Sequence, residues 1–90
     1  MIHETSRPRS TARPAEDLGD EYLFYDAAGD VVHVLNGTAR EIFLLCDGTR
    51  SLGEVGREIA GNYEVTPEIA RRDVEEIVAQ LIELGLLTVD

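Results

Sequence analysis

Little in this chain is suited to covalent or metal chemistry. Of its 90 residues one is a cysteine, Cys46, which excludes an intramolecular disulfide and a four-cysteine zinc site. A nucleophilic thiol needs a base, and the two histidines, His3 and His33, fall in an N-terminal tail and a strand with no motif tying either to Cys46. Cys46 therefore reads as a core thiol on the apolar face of a helix. Lysine is absent: all eight basic residues are arginine, set against 18 acidic ones, for a net charge of −10. Residues 1–17 are formally neutral, with three Arg against Glu4, Glu16 and Asp17, so the whole charge sits in residues 18–90. Such a surface is repelled by phosphate backbones, which need cationic contacts to displace counterions, and nucleic acid is not an expected partner. No apolar run approaches the ~20 residues of a membrane span. No apolar N-terminal core marks a signal peptide either, so the expected compartment is the cytoplasm, without a membrane partner. A glycine-rich phosphate loop, a His-Glu metal spacing and a Ser-His-Asp candidate are all missing, so no catalytic residue, metal or cofactor is expected.

What is present is punctuation. A chain of this length makes one small domain with a modest core. "MIHETSRPRSTARPAED" has almost nothing to bury and predicts a mobile tail over residues 1–17, leaving 18–90 as the domain. "EYLFYD" and "VVHVL" have the aromatic and β-branched content of strands, joined by the hairpin-length turn "AAGD". Residues from Arg13 to Leu18 are candidates for a third strand. From Asn36 the pattern turns helical. Thr38 with Glu41 predicts a capping box and a first helix that ends at Asp47-Gly48. Ser51 with Glu54 repeats the box and opens a second helix, carrying Leu52, Val55, Ile59 and Ala60 to Gly61-Asn62. Thr66-Pro67 places an N-cap and a first-turn proline at the head of a third, which runs to about Leu84 with Gly85 as its stop. "LLTVD" adds a short extended tail. A two- or three-stranded antiparallel sheet followed by three helices is an α+β fold with the layout of a winged helix-turn-helix.

Two elements carry more apolar surface than one core interface needs. "VVHVL" is apolar on both faces. In the third helix Ala70, Val74, Ile77, Leu81 and Leu84 form a stripe expected to face the core, and Val78 and Ile82 widen the arc to about 160°. Arg71 and Glu75 flank that extra strip. The carboxylates of this helix (Glu68, Asp73, Glu75, Glu76, Glu83) are spread around it and read as a solvated face, not an acid/base pair. His33 reads as a half-exposed packing residue. Tyr22, Phe24 and Tyr25 read as core and rim of the sheet, because base-stacking platforms work with positive grooves. A DNA-binding regulator would need cationic or amide side chains on a recognition helix, and the second helix offers Arg57 alone among glutamates.

The segment from Leu35 to Leu87 resembles the PqqD family. That pattern is Leu-Asn-x-Thr-Ala, an apolar pair, Asp-Gly-Thr, an Ile-containing helix, a Tyr, and Asp-Val before a leucine-rich helix ending Gly-Leu-Leu. Here those positions are Leu35, Asn36, Thr38, Ala39, Ile42, Phe43, Asp47, Gly48, Thr49, Val55, Ile59, Tyr63, Asp73, Val74, Leu81, Leu84, Gly85, Leu86 and Leu87. "LFYD" and the turn before "VVHVLN" extend the match upstream. Phe43 stands where the family often has Trp, and "YLFYDAAG" lacks the Pro-Glu associated with the pyrroloquinoline quinone branch, so the resemblance names no product.

The resemblance implies a non-enzymatic peptide chaperone. Such domains bind the leader or precursor of a ribosomally synthesised, post-translationally modified peptide and present it to a modifying enzyme. That enzyme would be a radical S-adenosylmethionine enzyme, or a peptidase in a lasso-type pathway. The peptide is held as an added strand between the third strand and the third helix. By position, the implied site comprises Val31, Val32, His33, Val34 and Leu35 on the strand, and Arg71, Val74, Glu75, Val78 and Ile82 on the helix. An edge strand is a template for another chain, and strand addition draws affinity from main-chain bonds and specificity from pockets. The surplus apolar surface would then be kept for a guest. Its alternative occupants are the N-terminal tail or the partner in a homodimer; the alternative functions are a winged-helix DNA-binding regulator and a plain dimerisation module.

Overall fold

The computed structural model describes residues 3–11, 15–26 and 31–89, so the "AAGD" turn lies outside the described residues. In chain order the elements are β1 (Arg9–Ser10), β2 (Ala15–Asp17), β3 (Tyr22–Asp26), β4 (Val31–Leu35), α1 (Gly37–Leu45), α2 (Leu52–Tyr63), α3 (Pro67–Glu83) and β5 (Leu87–Thr88). The sheet expected from the aromatic and valine runs is antiparallel, three-stranded and ordered β2-β3-β4. Ala15–Asp17, within the stretch proposed for a third strand, supplies β2. Among the described residues no helix is long and apolar enough to cross a membrane.

Period-two alternation sorts the sheet into two faces. Tyr22, Phe24, His33 and Leu35 share the face turned to the helices, with Phe24 opposite His33 and Tyr22 opposite Leu35. Phe24 and Leu35 are buried there. Phe43 of α1 meets Phe24 edge-on at 4.8 Å, and Tyr22 lies 5.0 Å from Phe24 and 5.4 Å from Phe43. This aromatic trio is the seam between sheet and helices, in the offset geometry that ring quadrupoles favour. Behind it Ile42, Cys46, Leu52, Val55, Ile59, Ala70, Val74, Val78, Leu81, Leu86 and Leu87 complete one core.

The helix caps follow the punctuation with one shift. Ser51 and Glu54 form the reciprocal box, with both bonds present, and Thr66 caps α3 ahead of Pro67. The cap of the first helix lies two residues before the expected Thr38: Asn36 is the N-cap, accepting from the Ala39 amide at 3.0 Å. Asx side chains cap as well as hydroxyls do, and the strand ends right there. Thr38 and Glu41 instead lie beside the Tyr63 hydroxyl of α2, and Glu41, ahead of burial, raises the Tyr63 pKa.

Residues 3–11, placed in the expected tail, lie against the body of the domain. The Leu52 and Gly53 amides donate to the carbonyls of Ser6 and Glu4 at 2.8 and 3.0 Å, and the Gly48 amide donates to Pro8 at 3.0 Å. β1 pairs with β5, and the Thr11 amide continues the contact to the Leu86 carbonyl at 3.1 Å. With the Ser51–Glu54 box, these bonds satisfy all four amides left unpaired at the head of α2. Pro8 is fully buried. The segment's composition reads as a tail because it docks through main-chain groups and one proline, neither of which leaves a hydrophobic pattern. We expect deletion of residues 1–11 to cost about 2 kcal/mol or more, from several main-chain bonds at roughly 0.5–1.5 kcal/mol each. Calorimetry should then show a fall in Tm of the order of 10 °C.

Asp17 ties the outer strand to α1. Its carboxylate takes two bonds from the Arg40 guanidinium, at 2.7 and 2.8 Å. The Arg40 bonds, followed by the Gly19 amide, lower the Asp17 pKa from 3.8 to about 2. A depressed carboxylate stabilises the fold above its unfolded pKa and loses that contribution as pH falls through the folded one. The Tm gap between the wild type and Asp17→Asn should therefore be constant at neutral pH and close between about pH 4 and pH 2. A gap that persists at pH 2 would assign the difference to packing.

Candidate functional site

The hydrogen-bond phase of the sheet decides what its open edge offers. The Leu18 amide donates to the Glu21 carbonyl at 2.8 Å across the Gly19-Asp20 turn, which makes Leu18 and Glu21 a hydrogen-bonded pair. Antiparallel pairs alternate between bonded and non-bonded, so on β3 Leu23 and Tyr25 direct their main chain at β2, and Tyr22, Phe24 and Asp26 direct theirs at β4. Their partners Leu35, His33 and Val31 spend their amides and carbonyls inward. Val32 and Val34 point theirs outward, to an edge that carries no further strand among the described residues. Val32 and Val34 are 50% and 54% exposed.

Beside that edge runs a groove of about 240 Å³ lined by Val34, Leu35, Asn36, Ala39, Ile77, Gln80, Leu81 and Leu84. Its walls are the end of β4, the start of α1 and one flank of α3. Of the residues proposed for the site, Val34 and Leu35 line this groove, and Val31, Val32 and His33 continue the strand upstream. On the helix the structure brings together a different set. Val74 and Val78 are fully buried in the core. Arg71 and Glu75 pair with each other at 3.2 Å, and Arg71 also approaches Glu4 at 3.7 Å. Ile82 is half-buried on that same flank, packed against the core. Of the residues the helical stripe assigns to the core, Ile77 packs against it and also borders the groove, whereas Leu84 borders the groove and is 42% exposed.

The reason is tertiary. At 100° per residue Val78 and Ile82 lie on one side of the Ala70–Val74–Leu81 row, and Ile77 and Leu84 on the other. Gly56 of α2 comes so close to α3 that a Cβ there would sit 3.6 Å from the Arg71 Cα. Helix α2 and the Glu4 segment therefore occupy the Arg71 and Val78 flank, and the opposite flank is left to face β4. A helical wheel gives the width of an apolar arc but not which margin a neighbour covers. No signal in the local sequence marks Ile77, Gln80 and Leu84; Gly56 of α2 was the available hint of a close helix contact.

Elsewhere the chemistry is quiet. Burial, then the neighbouring Asp47, pushes the Cys46 thiol up to about 12, so it stays protonated at neutral pH. No group of three or more His, Cys, Asp or Glu among the described residues is placed to hold a metal ion. A larger hollow of about 340 Å³ on α2 is lined by Arg50, Glu54, Arg57, Glu58, Gly61 and Asn62, charges of both signs remote from the strand edge.

A three-stranded sheet whose β4 edge is open, followed by three helices whose last one borders a groove beside that edge, defines a small α+β domain. The chain belongs to the PqqD family: the family model described as "Coenzyme PQQ synthesis protein D (PqqD)" matches residues 21–87. It is 32% identical over 60 residues to the "PqqA binding protein" of Gluconobacter oxydans (strain 621H), an alignment covering 67% of this chain and 62% of that relative. Among solved structures it resembles TbiB1 in complex with the TbiA(beta) leader peptide, with a TM-score of 0.76 at 18% identity, covering 88% of this chain and 93% of that one. At that identity the likeness speaks to the fold.

The two flanks of α3 are separable by substitution. Val78→Glu places a charge in a fully buried site and should unfold the domain, whereas Leu84→Glu should leave thermal stability within about 1 kcal/mol of wild type. Equal loss of the cooperative transition in both would mean that the groove flank is core.

Proposed function

We propose that this domain is a non-catalytic carrier, acting in the cytoplasm, for the leader of a ribosomally synthesised precursor peptide. The leader adds as a strand to the open edge of β4 and is presented to the enzyme that modifies it. The observation that carries this reading is the pair of outward-facing residues Val32 and Val34, whose free main-chain groups lie next to an apolar groove. Main-chain bonds to those two residues supply affinity that does not depend on the guest's sequence, and the groove supplies selection. The names of the similar proteins, one a PqqA binding protein and one solved with a leader peptide, support the same reading. On the helix the contact residues proposed are Ile77, Gln80 and Leu84; Val74, Val78 and Ile82 pack α3 against the core, and Arg71 and Glu75 pair with each other at the surface. A radical S-adenosylmethionine enzyme or a lasso-type peptidase is the proposed recipient. The domain itself performs no chemistry in this reading, since its single thiol is buried and protonated.

The test replaces backbone amides by esters, one position at a time, in semisynthetic protein, and titrates the leader of a precursor encoded beside the gene. Each ester removes one donor and leaves the side chain in place. At Val32 and Val34 it should weaken peptide binding about fivefold, on the order of 1 kcal/mol, with little effect on folding. At Val31 and His33 it should lower stability instead, because those amides serve β3. A flat profile across the four positions would reject strand addition even if the peptide bound.

A further inference from the structure

The helical margin next to the groove is acidic. Asp73, Glu76 and Glu83 follow one another with Gln80 along a single ridge of α3, beside the Ile77, Leu81 and Leu84 row that lines the groove. All three carboxylates are exposed, and none forms an ion pair among the described residues. Of the two arginines of the helix, Arg71 bonds Glu75, and Arg72, four residues before Glu76, forms no ion pair among the described residues, so the ridge carries three carboxylates against at most one cation. The last turn of α3 carries no basic residue, so no charge of its own offsets the negative end of its dipole.

We infer that the guest of this groove is a cationic peptide, an extended strand that sets an arginine or lysine against the Asp73–Glu76–Glu83 ridge. The inference rests on the reading of β4 as a strand-addition edge. Side chains of a guest bonded to Val32 and Val34 alternate, so those directed at α3 recur every second residue, about 6.8 Å apart. One apolar side chain enters beside Ile77 and Leu84. The next on the same face lays its long stem over the apolar lip and carries its charge to the carboxylates. Single exposed ion pairs are weak. Selection therefore comes from the summed field of three carboxylates and a helix end, and it is sensitive to salt.

The probe is a synthetic decapeptide of alternating valine and polar residues, in three forms with arginine, glutamine or glutamate at two positions of one face. Each is titrated into ¹⁵N-labelled protein, with the Val32 and Val34 amide shifts reporting the edge. The arginine form should bind about tenfold tighter than the glutamine form in low salt, and the glutamate form weakest, with the gaps narrowing at about 0.5 M salt. The triple variant Asp73→Asn, Glu76→Gln, Glu83→Gln should bring the arginine and glutamine forms within about twofold. A control triple, Glu16→Gln, Glu58→Gln, Glu64→Gln, changes net charge equally away from the groove and should keep the preference. Equal binding of the three forms at Val32 and Val34 overturns the inference and leaves strand addition standing. A preference that both triple variants reduce alike is an effect of net charge and overturns it too. No response at Val32 and Val34 to any form removes the strand reading, and the inference with it.

Discussion

β4 shares its main chain with β3 and with no other described strand, and this one-sided pairing governs what the domain can hold. In an extended chain the face a side chain takes and the edge its amide takes are coupled, because both alternate with period two. Leu35 must be inside, where it is 6% exposed. That requirement alone turns the main chain of Val32 and Val34 outward, and a one-residue slip would bury Val34 in its place. The valines themselves keep the strand extended while it waits unpaired, so less ordering remains to be done when a second chain arrives. An open apolar edge is also a route to aggregation. It is limited here by its five residues and by a net charge of −10, which sets copies of the chain against one another.

The N-terminal segment makes the domain asymmetric. Ser6 and Glu4 complete the amide accounting at the head of α2, which lets that helix sit close against α3 across Gly56. The contact consumes the Val78 flank. What remains of the wide apolar arc is the Ile77–Leu84 margin, and that margin adjoins the same end of β4 that leaves its main chain free. Strand edge and groove are therefore two consequences of one packing arrangement. Without residues 3–11 the head of α2 would depend on water, and the position of α3 relative to β4 would be less strictly held.

Most of the architecture was legible because its determinants are local. The Ser51–Glu54 box and the Thr66-Pro67 start are short-range chemistry, and both appear as the residues dictate. The aromatic and valine runs gave the hairpin strands. Three features escaped for definite reasons. Asn36 and Thr38 are both competent caps two residues apart, and the end of β4 rather than propensity chose between them. The docked N-terminal segment binds through carbonyls, which every residue possesses. The flank of α3 that borders the groove depends on which neighbour covers which margin, a tertiary fact that periodicity does not contain. On the strand the proposed residues fall at the open edge; on the helix only the element was legible, and its groove-lining residues were not.

Under the proposed reading, the three kinds of surface at the groove divide the work of recognition. The Val32 and Val34 main chain binds any extended peptide and discriminates little. The Ile77–Leu84 recess fixes register, because a slip of one residue would turn every guest side chain to the opposite face. The acidic ridge fixes sign, and it acts at a longer range than either, so it selects among chains before they dock. Register matters beyond the groove. A guest held in one register leaves the edge at one defined residue, and the chain beyond reaches at most about 3.4 Å per residue toward a partner. A shift of one position would deliver a different residue there. A domain with no chemistry of its own can in this way decide which residue of a peptide is modified, provided that its strand edge is rigid and its recess accepts one side chain.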